Sequence, residues 1–159
     1  MKVEPNKEHL WLQKLVGEWT YEHDAEMEPG KIQKFTGTEV VRPMGDLWVL
    51  CEARGAMPGG ANHYMMWTFG YDPSQKAFVG TFIGSMAPYM WVYHGSLDAA
   101  EKVLTLDTEG PDFSAEGRMA KYKDIIEIKS ADERVLRSEM QGQDGKWTEI
   151  MQQNYRRKK

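Results

Sequence analysis

The sequence predicts an all-β fold: a closed, antiparallel, up-and-down β-barrel of eight to ten strands, with a short N-terminal helix capping one end. Three observations predict it. From Gly17 onward the residues alternate with a period of two, as in "GEWTYEHDAEME" (17–28), where Trp19, Tyr21, His23, Ala25 and Met27 share one face and Glu18, Thr20, Glu22, Asp24, Glu26 and Glu28 the other. Turn chemistry interrupts the alternation at short, regular intervals. No helix-length apolar pattern lies between the strands, so hairpins rather than crossovers connect them and the sheet is antiparallel. Ten strands laid out flat would leave two long edges and a bare face. Closing the sheet removes both problems and leaves room inside for side chains and one small ligand.

The elements follow in order. Asn6, just after Pro5, is a candidate N-cap and Gly17 a candidate stop, so a helix is expected over about 6–16. Within it Trp11 meets Leu15, and Leu12 meets Val16, at i,i+4 spacing. A helix this short needs tertiary packing. Strands are then expected at Glu18–Glu28, Phe35–Arg42, Leu47–Met57, Asn62–Asp72, Lys76–Ser85, Tyr89–Leu97, Lys102–Thr108, Ala115–Lys129, Arg134–Gln141 and Lys146–Arg156. Between them stand Pro29-Gly30, Pro43-Met44-Gly45-Asp46, Pro58-Gly59-Gly60, Asp72-Pro73-Ser74, Gly110-Pro111-Asp112 and Gly142-Gln143-Asp144-Gly145. No internal repeat or linker divides residues 1–159, which read as one domain.

Composition narrows the function. The formal net charge of −4 disfavours a nucleic-acid partner, which would need a basic face. The basic run Arg156-Arg157-Lys158-Lys159 reads as a solvated tail. The N-terminus "MKVEPNKEHLWLQKL" has no apolar core of a secretory signal, and no run of about 18 apolar residues occurs, so no membrane partner is expected. The single cysteine, Cys51, rules out an internal disulfide and a cysteine-cluster zinc site. The expected location is the cytoplasm.

The Gly17-Glu18-Trp19 triplet, after a short helix and at the start of the first strand, resembles the Gly-x-Trp signature that opens lipocalin-like barrels. The resemblance implies that the tryptophan closes the barrel floor. More specifically, "HLWLQKLVGEWTYE" (9–22), "GYDPSQKAFVGTF" (70–82), "YHGSLD" (93–98), "KVLTLDTEGP" (102–111) and "NYRR" (154–157) are similar to a bacterial domain family of unknown function and about this length. That resemblance implies a lipocalin-like barrel and no particular activity. The nitrobindin type of lipocalin-like barrel holds haem through a histidine late in the chain. No His follows position 94 here, so no haem and no other cofactor is expected.

Six Trp, seven Tyr, five Phe and eleven Met supply either the filling of a small barrel or the wall of a cavity for an apolar ligand. Glycines at 37, 55, 80, 84 and 95 mark barrel corners or close approach of a ligand. His23 shares a face with Trp19 and Tyr21, and His63 with Trp67; neither sits in a metal motif. The facing of strand 47–57 stays open, because both of its faces carry apolar residues. If Trp48, Leu50, Glu52 and Arg54 face inward, Glu52 and Arg54 enter the cavity; the alternative is an outer face with surface ion pairs. Arg137 raises the same question.

The expected function is binding of a small apolar or amphipathic molecule inside the barrel. Trp19, Tyr21, Trp67, Phe82 and Tyr93 would form the wall. His23, His63, Glu52 and Arg54 would orient the polar end, with Arg54 or Arg137 gripping a carboxylate head. Two alternatives stand beside it: an acid/base enzyme on the same barrel (an isomerase, cyclase or hydrolase), and a structural protein pairing as a homodimer. No nucleophile constellation is present, and no catalytic residue is assigned.

Overall fold

The computed structural model describes residues 3–56 and 60–159, apart from the side chains of residues 26 and 27. Its elements are α1 (Lys7–Gln13), β1 (Gly17–Glu28), β2 (Lys31–Met44), β3 (Trp48–Ala56), β4 (Asn62–Asp72), β5 (Ala77–Gly84), β6 (Ala87–Leu97), β7 (Val103–Pro111), β8 (Met119–Ile128), β9 (Glu133–Gln141) and β10 (Trp147–Arg157). Each strand pairs antiparallel with the next, and β10 returns to β1, with Tyr155 opposite Tyr21. The sheet is a closed up-and-down barrel of ten strands. Among the described residues no helix is long and apolar enough to cross a membrane.

Several boundaries differ from the expected ones: β2 begins earlier, at Lys31, β6 earlier, at Ala87, and β7 runs on to Pro111, while two further differences have a local cause. The helix ends at Gln13, because the amides of Lys14, Leu15 and Val16 bond carbonyls three residues back, tightening the chain before Gly17. The strand expected from Ala115 begins at Met119. The Asp112 carboxylate accepts from the Ser114 amide at 2.8 Å and its hydroxyl at 2.6 Å, and Gly117 takes a φ of +78°, so a turn occupies this stretch. Met57, the expected end of the third strand, lies outside the described residues.

Alternation fixes what points inward. On β1 these are Trp19, Tyr21 and His23; on β2 Phe35, Gly37, Glu39 and Val41; on β3 Val49, Cys51, Ala53 and Gly55. The facing of β3 is thereby settled, and Glu52 and Arg54 lie on the outer surface.

The end at which β1 begins is closed. Helix α1 lays Trp11, Leu12 and Leu15 into the core, and the Trp19 indole N–H donates to the Leu15 carbonyl at 2.8 Å. The helix is anchored twice. Asn6 Oδ1 accepts from the amides of Glu8 and His9, while His9 Nδ1 accepts from the Asn6 amide and its Nε2–H donates to the Tyr71 carbonyl of β4. Replacing Asn6 by Ala is expected to cost about 1 kcal/mol, read as a lowered urea midpoint with unchanged slope.

Above α1 the interior holds a buried ion pair. Arg134 of β9 donates to Glu39 of β2, and its guanidinium lies over the rings of Trp19 at 4.7 Å and Tyr155 at 3.7 Å. Burial pushes the Glu39 carboxyl up, against the pull of Arg134. Burial and the Glu39 charge push the Tyr21 phenol up to about 12. The phenol of Tyr21 occupies the space left by the paired glycines Gly37 and Gly55. A gap of only about 10 Å³ remains in this layer, room for no more than about one water. The lower half of the barrel is solid.

Candidate functional site

The upper half is hollow. A cavity of about 340 Å³ opens at the mouth opposite α1, within the usual ~300–1,000 Å³ of ligand sites. Its wall is aromatic: Phe82 of β5, Tyr89 and Trp91 of β6, Tyr122 of β8, and Phe113 from the β7–β8 turn. Trp91 stands at the centre of this wall, edge-on to Tyr89 at 5.1 Å and Tyr122 at 4.9 Å, with Phe113 at 6.3 Å. The Tyr122 hydroxyl donates to the Pro111 carbonyl and ties the turn to the strand.

The polar groups lie at one place. Asp124, inward on β8, accepts from the Tyr93 hydroxyl at 2.5 Å and the Ser138 hydroxyl at 2.6 Å. Burial raises the Asp124 carboxyl, and the two donors pull it back only in part. Thr108 of β7 lines the cavity with a buried hydroxyl that has no partner. His63 of β4 completes the lining, and burial lowers its pKa, which favours the neutral ring.

One wall is split. Strands β6 and β7 pair only from His94–Asp107 to Leu97–Leu104, so Ala87–Tyr93 and Thr108–Pro111 run unpaired with each other. Side chains fill the seam. The Tyr89 hydroxyl donates to the Glu109 carbonyl at 2.9 Å, and the Trp91 ring lies on Gly110, where any Cβ would overlap it. An outer groove of about 600 Å³ on the far side of the seam shares Tyr89, Thr108 and Tyr122 with the cavity. A second outer groove, of about 650 Å³, runs over β2–β5.

The residues expected to form the site are distributed over the whole barrel. His63 and Phe82 line the cavity. Trp67, stacked on Phe82 at 4.7 Å, and Tyr93 form the layer beneath it. Trp19 and Tyr21 lie lower still, in the solid half. His23 stacks on Phe35 at 5.4 Å, away from the cavity lining. The inward facing considered for Glu52, Arg54 and Arg137 is corrected. Glu52 pairs with Arg42 outside the barrel at 2.5 Å, Arg54 lies over the exposed Tyr64 ring, and Arg137 pairs with Glu127 at 2.9 Å. None of the three reaches the interior, so no arginine is free there to grip a carboxylate.

Asp124, Ser138, Thr108, Trp91, Tyr122 and Phe113 were not among the expected residues. Asp124 did carry a signal: it shares its phase with Tyr122, Ile126 and Ile128, an acid on the apolar side of a strand. Phe113 carried none, since it projects from a turn.

Ten antiparallel strands closed around a hollow mouth define a lipocalin-like barrel. Within that class, the chain belongs to the family described as "Protein of unknown function (DUF1579)", whose model matches residues 4–157. No curated protein matches it. Among solved structures it is similar to Rv2717c from M. tuberculosis, at 11% identity and a TM-score of 0.65, with 98% of this chain and 100% of that one covered. It is also similar to the S-type phycobiliprotein lyase CPES from Guillardia theta, at 13% identity and a TM-score of 0.55, with 98% and 99% covered. At these identities the likeness is one of fold.

Proposed function

We propose that this chain binds a small, largely apolar molecule in the mouth of the barrel. The observation that carries this reading is the aromatic cavity of about 340 Å³ above a solid floor. A barrel meant only to be filled has no need of a hollow half, and the rings of Phe82, Trp91 and Tyr122 offer flat apolar faces to a flat guest. Removing such a guest from water contributes about 25 cal/mol per Å² of apolar surface, less the cost of association. The solved lyase supports the reading only as a fold that can serve such chemistry.

A neutral bicyclic probe, 1-naphthylmethanol, tests it by titration calorimetry. Saturable one-to-one binding is expected, weakened about tenfold or more by Trp91→Ala, equivalent to roughly 1.4 kcal/mol. Absence of saturable heat with this probe and with its amine and carboxylate analogues, or full affinity in Trp91→Ala, overturns the proposal.

A further inference from the structure

We infer that the guest is an organic cation, a protonated amine on a flat apolar body, with its ammonium group held at Asp124. This rests on the binding proposal and adds the chemical class. The first ground is the charge inventory of the interior. Arg134 is committed to Glu39, and Arg157 to the carbonyls of Lys14 and Val16 at the floor. Lys121, Lys123 and Arg137, on the strands flanking the site, take the outward phase. Among the described residues, Asp124 therefore lines the cavity with two hydroxyl donors and no cationic partner. A carboxylate has about four acceptor sites, and two remain for a guest.

The second ground is independent of Asp124. Two further polar groups of the lining, the Thr108 hydroxyl, unpartnered among the described residues, and the neutral His63 imidazole, can each accept a hydrogen bond as well as donate one. A guest bearing N–H donors would satisfy all three. A carboxylate guest would meet a half-buried carboxylate instead. The third ground is the wall. Trp91, Tyr89, Tyr122 and Phe113 cluster at ring separations of 4.9–6.3 Å beside the acid, and ring faces attract cations most strongly where water is excluded. Among the described residues no group of three or more His, Cys, Asp or Glu could hold a metal ion, so a lone carboxylate beside rings suits an organic cation.

The test is a matched series on one ring system: 1-naphthylmethylamine, 1-naphthylmethanol and 1-naphthoate, titrated at neutral pH into the intact protein. The amine is expected to bind at least tenfold tighter than the alcohol, and the carboxylate weakest. In Asp124→Asn the ratio of amine to alcohol affinity should collapse to about one. Alcohol binding with no advantage for the amine, or tighter binding of the carboxylate, overturns the inference while leaving the binding proposal intact. Failure of all three probes overturns the binding proposal itself. If Asp124→Asn does not fold, the series on the intact protein still decides. Ser138→Ala, which removes one donor from the carboxylate, then serves as the second variant and should change the amine-to-alcohol ratio. An unchanged ratio there counts against the inference.

Discussion

Replacing Arg134 by methionine is expected to destabilise the barrel by about 3–5 kcal/mol, the usual cost of leaving one member of a buried ion pair without its partner. The structure explains why so large an effect follows from one guanidinium. Glu39 is 2% exposed, inside the solid half, and its ionised carboxylate has Arg134 as its counter-charge. The same substitution strips the cation from between the Trp19 and Tyr155 rings. Replacing both partners, Glu39→Leu with Arg134→Met, should recover most of the loss, because apolar residues of similar volume satisfy such a site as well as a pair does. Burial holds the Glu39 carboxyl above its ordinary range, so the folded state binds the proton more readily than the unfolded state, and stability falls as pH rises through that window. Without Arg134 the window extends higher. The deficit of Arg134→Met should therefore shrink on acidification and grow towards neutrality. Urea melts across that range check it, and a deficit under 1 kcal/mol at neutral pH would show that the pair is not what closes the floor.

Replacing Gly37 by alanine is expected to cost about 1–3 kcal/mol through overpacking. A Cβ there would overlap the Tyr21 phenol and lie 2.6 Å from the Arg54 carbonyl oxygen. The side-chain clash can be relieved, but the carbonyl belongs to the neighbouring strand and cannot yield without parting β2 from β3. In a Tyr21→Ala background the alanine should cost measurably less, since only the backbone contact remains; the coupling in a double-mutant cycle measures the difference. Strict additivity would show that Tyr21 does not use the space between Gly37 and Gly55.

Much of the fold was legible because alternation records facing. Trp19, Tyr21, Trp67 and Phe82 all stand on the inward phase of strongly patterned strands. Strand β3 was not legible, since Trp48 and Leu50 on one phase are as apolar as Val49 and Cys51 on the other; only its register with β2 and β4 decides. Depth was not legible either. A period of two separates inside from outside but cannot say that Trp19 lies in a packed floor and Phe82 in a hollow mouth. That distinction arises from which residues meet across the barrel, and from the Asp112–Arg118 turn that brings Phe113 to the rim.

The seam between β6 and β7 sets how firmly the flank of the mouth is held. Most of the other stave-to-stave joints are laced by long main-chain ladders; the β1–β10 joint, paired only from Trp19–Arg157 to Glu22–Asn154, is the other short one. In the β6–β7 seam a phenol hydroxyl and an indole do the fastening. Above His94 the inner flank of β6 is thus free of any ladder to β7, while β5 stays paired with β4 as far as Gly84. Trp91, seated on Gly110, is the side chain that keeps this flank of the proposed binding mouth shut.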